Sequence, residues 1–338
     1  MRLRICFIGS FSGNLDEGMR NVAEALADIE SEEFDVLRLN PKSVITESSK
    51  LKAFNPDVIH YLSGPSFVSL ALLHLARMQT KCKATLITAT HPWLPGMKLF
   101  PERLKPNLLL YQSSKQKEAF AGIFNRMRFL PNGVDQNRFK PLIQDAKMSM
   151  RRSLGLSQEK FIILHVGNFR EGRNIGVLGD LARCDDHEVV LVGSTSVGRI
   201  STQMKKELRE KGVKIIDQYV SKIEEIYASC DCYLFPTQEE GRAIEIPLSV
   251  LEAMACNLPI VSTRFGGLPD LFTDQTWFRF VNDSNEIKTA IADIRKRIEE
   301  GETKCNTRSM VAPFTWESIG SELSRTYNKL LLDPNQEN

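Results

Sequence analysis

Charge of one sign is missing from this sequence. Its 44 Lys and Arg stand against 42 Asp and Glu, a formal net charge of +2. A balanced chain sets up no general field for nucleic acid, so no nucleic-acid partner is expected. Long hydrophobic runs are missing too: no apolar stretch approaches the ~20 residues that span a bilayer. The opening Met1-Arg2-Leu3-Arg4-Ile5-Cys6-Phe7-Ile8 is too short for a signal peptide and runs into Gly9. None of the seven cysteines forms a Cys-x-x-Cys pair, and most sit in apolar surroundings. They read as reduced core residues of a cytoplasmic protein. His-Glu-x-x-His, Cys/His clusters and Gly-x-x-x-x-Gly-Lys-Ser/Thr are absent, so no metal site and no P-loop are expected.

What is present is alternation. Apolar runs at 3–8, 34–39, 57–62, 84–89, 108–111 and 127–130 read as strands, with helices at 19–29, 66–77 and 115–124. The second half repeats the pattern, with strands at 161–166, 188–192, 213–216, 232–235, 260–262 and 278–281. Strand alternating with helix implies α/β architecture with doubly wound parallel sheets, and 338 residues exceed one ordinary domain. Two Rossmann-like domains are predicted, 1–141 and 142–315. A final helix at 316–332 carries Trp316, Ile319, Leu323, Tyr327 and Leu330 on one face. The first loop, Ser10 to Gly18, lacks G-x-G-x-x-G spacing, and Asp16-Glu17 would repel a pyrophosphate, so it is not read as a dinucleotide site.

The densest chemistry lies at Pro236 to Phe272. A buried strand ends at Pro236 and an acidic loop follows, with Glu239, Glu240 and Gly241. Pro247 fits the first turn of a helix that contains Glu252, Asn257 is a left-handed cap, and Pro259 stops continuation. Backbone N–H groups at a helix start favour phosphate, and carboxylates suit sugar hydroxyls. One sheet edge that offers both suits a sugar nucleotide.

This stretch resembles the donor-binding segment of family-4 glycosyltransferases, which have the GT-B fold. Pro236-Thr237-Gln238-Glu239-Glu240-Gly241, Pro247 to Ala255 and Gly266-Gly267-Leu268-Pro269-Asp270 match its pattern. So does Pro131-Asn132-Gly133-Val134-Asp135 with Phe139 and Pro141, read as a turn that ends the first domain. The resemblance implies two Rossmann-like domains facing a cleft, an acceptor side before 141 and a donor side after it. It also implies that helix 316–332 returns to the first domain. No Asp-x-Asp follows a strand, which disfavours the metal-dependent GT-A plan.

The resemblance implies a metal-independent, retaining transfer of a hexose from a UDP-, GDP- or ADP-sugar to a sugar or lipid-linked hydroxyl. The nucleotide sugar is a co-substrate, and no cofactor is implied. Arg173 takes the family's Lys position against the diphosphate, and Asn168 stands where the family has Arg. Arg170 offers a second cation out of register. Glu252 would hold the ribose, with Leu248 and Ser249 at the helix start lining the donor site. Glu240 would meet the donor sugar. Eleven residues separate Glu240 from Glu252, about four more than the family has, so Glu245 is a rival for that role. Gly18 is a candidate beside the donor phosphates, against a plain turn. His91, just past strand 84–89, is a candidate catalytic residue facing the reacting sugar, against a loop hydrogen-bonder.

Two other readings of the whole chain stay open: a nonhydrolysing sugar-nucleotide epimerase and a non-catalytic sugar-nucleotide-binding subunit. Segment 93–105 combines Trp93, Leu94, Met97, Leu99 and Phe100 with Lys98, Arg103 and Lys105. It reads either as apolar residues packed against the first domain's own core or as a peripheral contact with the inner membrane face.

Overall fold

The structure, a computed structural model, describes residues 2–90, 101–169, 172–195, 202–302 and 304–332. His91, Arg170 and residues 93–100 of the segment 93–105 lie outside them. Among the described residues the chain forms two six-stranded sheets. The first contains β1 Arg4–Ile8, β2 Asp35–Leu39, β3 Val58–Gly64, β4 Ala84–Ala89, β5 Leu108–Tyr111 and β6 Met127–Phe129, in the order β2-β1-β3-β4-β5-β6. The second contains β7 Phe161–Val166, β8 His187–Val192, β9 Lys214–Ile216, β10 Cys232–Phe235, β11 Ile260–Thr263 and β12 Phe278–Val281, in the order β12-β11-β10-β7-β8-β9. All pairings between these strands are parallel. β4, β10 and β11 are buried at every position, as strands covered on both faces must be, which explains why they are mostly apolar and hold no charged residue. With the flanking helices this is the GT-B architecture of two Rossmann-like sheets.

The chain divides into two compact units. One holds 1–133, 243–246 and 316–338; the other holds 134–242 and 247–315. The division falls at Gly133–Val134 and not at 141. Val134 N–H donates to Phe314 O at 2.9 Å and bridges to Thr315, which draws the chain into the second unit at once. The Asn-Gly turn does not place Gly133 at positive φ. Instead an added Cβ there would stand 2.7 Å from the Trp316 ring. Asn257 does take the left-handed conformation, at φ 59, just after the helix Leu248–Ala255.

In the first unit, the helix Trp316–Leu332 packs on the helix Gly18–Glu30. Gly320 lies at this contact, where a Cβ would meet Ile29 at 3.0 Å and Glu30 Oε1 at 3.3 Å. Glu30 is only 1% exposed. Ser324 donates to its Oε2 at 3.1 Å, while Oε1 has no hydrogen-bond partner. Burial disfavours the charged form and pushes the carboxyl up to about 8.

The folded chain therefore keeps the Glu30 proton up to about 8, whereas the unfolded chain releases it near the ordinary 4.5. The stability this group contributes is complete below 4.5, falls as pH rises, and is gone above 8, at up to about 1.4 kcal/mol per pH unit. Glu30→Gln should remove that slope between pH 5 and 8 in urea unfolding curves. A slope that persists in the variant refutes the assignment.

Candidate functional site

The second sheet fixes where a site forms in the second unit. From β7 the chain moves outward through β8 and β9, then returns to lay β10 on the other side of β7. The loops after β7 and β10 leave in opposite directions, and the crevice outside these carboxyl ends is the usual ligand position of such sheets. Gly167 to Arg173 follow β7, and Pro236 to Arg242 follow β10.

Arg173 anchors the first loop. It is 6% exposed, so it is no solvated surface cation. Its Nε donates to Arg242 O at 2.9 Å. Its guanidinium lies over Gly167, where a Cβ would stand 2.2 Å from Nη1. That point is also 3.2 Å from His165 Nε2. His165 is fully buried; its Nδ1 meets Leu234 O at 2.9 Å, and a carbonyl accepts only, so Nδ1 carries the proton. Nε2 is then an acceptor, and it has no hydrogen-bond partner. Burial first, and the charge of Arg173 after it, hold the imidazole down at about 4. A neutral ring beside the guanidinium leaves the positive charge intact.

The second loop crosses the first. Glu239 N–H donates to Gly172 O at 3.4 Å, and Arg242 Nε donates to Glu239 Oε2 at 2.9 Å. Gly172 takes φ +84, and a Cβ there would overlap the Glu239 carboxylate at 2.1 Å. Glu240 is exposed in the same loop, beside Gly241 at φ 75. Asn168 is half-exposed at the end of β7.

The helix Leu248–Ala255 starts at Pro247, which is its N-cap and not its first residue; no side chain caps it. Leu248 is buried and Ser249 half-buried at that start. Glu252 lies in the second turn, not at the terminus. It is half-buried, and Tyr227 Oη donates to its Oε2 at 2.8 Å. Burial raises its carboxyl to about 7, against the opposing pull of the Tyr227 hydrogen bond and Arg138. Arg173, Asn168, Glu240, Leu248, Ser249 and Glu252 all belong to the second unit.

Glu245 and Gly18 belong to the first unit. Ser113 Oγ donates to Glu245 Oε1 at 2.5 Å, and Glu245 N–H donates to Thr90 O at 3.1 Å. Its neighbours fit the same unit: Asn132 Nδ2 donates to Ile246 O at 2.8 Å, and Ile244 Cδ1 lies 3.2 Å from where a Gly18 Cβ would stand. The Glu17 carboxylate caps the Gly18 helix, accepting from Met19 and Arg20 N–H. It takes the amides that a phosphate would use, so Gly18 reads as a packing glycine under Ile244.

Sequence reasoning missed His165, Tyr227 and the Glu239–Arg242 pair. A histidine inside the apolar run Phe161-Ile162-Ile163-Leu164-His165-Val166 was the available signal for the first. Among the described residues no group of three His, Cys, Asp or Glu could hold a metal ion.

Gly167→Ala tests the central contact. Its methyl should displace the Arg173 guanidinium and lower nucleoside-diphosphate affinity about 10-fold or more, the scale of one charge-assisted hydrogen bond. Calorimetric titration with UDP and GDP, beside a thermal melt, checks it. Unchanged affinity in a folded variant would show that Arg173 does not face the phosphates.

Comparison with known proteins bears on the fold and on the second half of the chain. Residues 147–310 match the family described as glycosyl transferases group 1. The sulfoquinovosyl transferase of Arabidopsis thaliana is 24% identical over 79% of this chain, which spans 54% of that relative's length. A GDP-mannose-dependent monoacylated phosphatidylinositol monomannoside mannosyltransferase of Corynebacterium glutamicum is 23% identical, over 90% of this chain and 87% of its own. Among solved structures, sucrose-phosphate synthase from Thermosynechococcus elongatus aligns with a TM-score of 0.78 at 19% identity, covering 98% of this chain and 100% of its own. Anabaena HepE in complex with UDP-glucose aligns at 0.73 and 18%, covering 97% and 100%. The chain has the GT-B fold, and its residues 147–310 match the family of group 1 glycosyl transferases.

Proposed function

We propose that the chain is a retaining, metal-independent hexosyltransferase of the family-4 type, moving a sugar from a nucleoside-diphosphate donor to a lipid-linked hydroxyl. The observation that carries this reading is the buried Arg173 at the switch point between β7 and β10, with Glu240 and Glu252 in the same unit. When the bond between the sugar's anomeric carbon and the β-phosphate oxygen breaks, negative charge develops on the diphosphate. Arg173, nearly excluded from water, meets that charge more strongly than an exposed cation would. The uncapped start of the Leu248–Ala255 helix offers N–H groups to the same oxygens. Glu252 accepts from ribose hydroxyls through the oxygen that Tyr227 leaves over. Glu240, and not the Ser113-bound Glu245, takes the donor sugar. His91 keeps its proposed place beside the reacting sugar.

The acceptor class follows from relatives. Besides the phosphatidylinositol mannosyltransferase, an alpha-galactosylglucosyldiacylglycerol synthase of Streptococcus pneumoniae is 28% identical over 40% of this chain. A lipid acceptor suits a cytoplasmic enzyme with peripheral membrane contact. Among the described residues no helix is long and apolar enough to cross a membrane.

Incubation of the enzyme with UDP-, GDP- and ADP-sugars, with and without diacylglycerol or phosphatidylinositol acceptors, tests the reading. Release of nucleoside diphosphate that depends on acceptor supports it; interconversion of donor alone would indicate an epimerase, and nucleotide binding without release a non-catalytic subunit. Glu240→Gln should leave UDP or GDP affinity unchanged and lower transfer about 10- to 100-fold. Intact transfer in that variant removes Glu240 from the site.

Glu252 adds a pH dependence. Its carboxylate form is the better acceptor for ribose hydroxyls, and in the free enzyme it gains a proton below about 7. Nucleotide affinity should therefore rise as pH increases from 6 to 8 and then level. Glu252→Gln should bind about 10-fold more weakly or worse, with that rise abolished. An unchanged profile in the variant would assign the titration elsewhere.

A further inference from the structure

His165 is a buried polar group that the proposed chemistry leaves unused. It stands on β7, 0% exposed, with its ring 6.4 Å from that of Tyr233 and 6.3 Å from that of Phe235. Its Nδ1–H is committed to Leu234 O, so the ring cannot turn over without losing that bond. The lone pair on Nε2 is left without a donor among the described residues. His60, equally buried, shows the ordinary solution: both of its ring nitrogens are engaged, each at 2.7 Å. A buried acceptor with nothing to accept is uncommon and calls for a reason.

Gly167 shows where that lone pair lies. The space that a Gly167 side chain would fill is bordered by His165 Nε2, 3.2 Å from the Cβ position, and by Arg173 Nη1, 2.2 Å from it. The orphaned acceptor therefore shares one gap with a charged donor. Arg173 is held at Nε by Arg242 O. A tie at Nη1 as well as at Nε fixes the plane of a guanidinium, and an aligned fork can make two parallel hydrogen bonds to a phosphate. With its proton on Nδ1 and burial holding it neutral, the His165 ring accepts and does not repel. The contact stops short of a hydrogen bond in this structure. Hydrogen bonds that serve catalysis are often long in an unliganded enzyme and tighten when the ligand arrives.

We infer that His165 is a positioning residue for Arg173: its Nε2 accepts a hydrogen bond from Nη1 when a nucleoside diphosphate binds, which aligns the rest of the guanidinium with the phosphate oxygens. This rests on the donor-site reading above and deepens it, since it names what orients the cation. His165 itself touches neither the sugar nor the diphosphate.

Two substitutions separate the two ring nitrogens. His165→Asn keeps a donor for Leu234 O and loses the far acceptor. His165→Gln puts a carbonyl near the Nε2 position and loses the Leu234 bond. Calorimetric titration should show His165→Asn binding UDP and GDP about 10-fold more weakly, with uridine and guanosine affinity unchanged. His165→Gln should keep most of the diphosphate affinity even where its thermal melt falls. A purely structural histidine gives another pattern, in which His165→Gln is the weaker binder or nucleoside and diphosphate weaken together; either result overturns the inference. Nitrogen NMR of histidine-labelled wild type needs no variant to fold. The His165 Nε2 resonance should be that of an unprotonated nitrogen and should move upfield on saturation with UDP or GDP, and a resonance that stays in place overturns the inference too. Wild type that releases no nucleoside diphosphate from any donor, yet binds inorganic pyrophosphate with the same dependence on His165, removes the transferase reading and keeps the positioning role. Wild type that binds neither UDP, GDP nor pyrophosphate removes both.

Discussion

The reversal of strand order beside β7 is the constraint on which the second unit's chemistry depends. Parallel strands buried on both faces are mostly apolar, and polar side chains they do hold, such as His60 and His165, are hydrogen-bonded inside the core. Polar groups collect where the strands end, and only at a reversal do neighbouring loops part widely enough to admit a ligand. β7 and β10 are such neighbours, and the loops after them carry Arg173 and Glu239 to Arg242. The glycines follow from this crowding. Gly167 gives up its side chain to the Arg173 guanidinium and Gly172 to the Glu239 carboxylate. A motif that looks like a string of chemical groups is in part a record of close backbone approach.

Much of this was legible in the sequence because the relevant signals are local. Strand runs such as 84–89, 161–166, 232–235 and 278–281 agree with the observed strands to the residue, since a buried parallel strand is a short, mostly apolar run bounded by polar loops. The placement of Arg173 and Glu252 in one unit came from motif spacing. What was not legible depends on tertiary contact. Glu17 read as a charge that would repel a pyrophosphate; what the structure shows is its carboxylate as the cap that accepts from Met19 and Arg20. Glu is seldom an N-cap residue, so propensity gave no hint. The acidic loop read as one continuous element. Yet its four residues 243–246 pack with the first unit, where Ile244 covers Gly18 and Ser113 holds Glu245.

Burial decides the protonation state of several groups that sequence alone would have left charged or ambiguous. His60, fully buried between Tyr327 Oη and Thr88 Oγ1, each at 2.7 Å, is pushed down to about 3 by burial. His165 is held near 4 by the same cause, while Glu30 and Glu252 are raised. In each the neutral form is favoured, because hydrogen bonds within the fold replace only part of the hydration that a charge needs. The exception is Arg173, whose intrinsic basicity is too high for burial to neutralise. The guanidinium keeps its charge beside a neutral His165, and the neutrality of that ring spares Arg173 a second positive charge at close range.

The two units share an architecture and treat their helix starts in opposite ways. In the first, the helix after β1 begins under the Glu17 carboxylate, which consumes its amide donors and adds negative charge. In the second, the helix after β10 begins at Pro247 with no side-chain cap, in the unit that contains Arg173. A free helix start carries partial positive charge, and a capped one presents a carboxylate instead. On the proposed reading, a diphosphate would favour the uncapped helix start over the one that the Glu17 carboxylate occupies. Two sheets of the same kind would otherwise compete for the same anion; the cap removes the competition. It leaves the carboxyl edge of the first sheet to a partner whose recognition does not depend on phosphate at that helix. An acceptor hydroxyl, uncharged and a hydrogen-bond donor, is a partner of that kind.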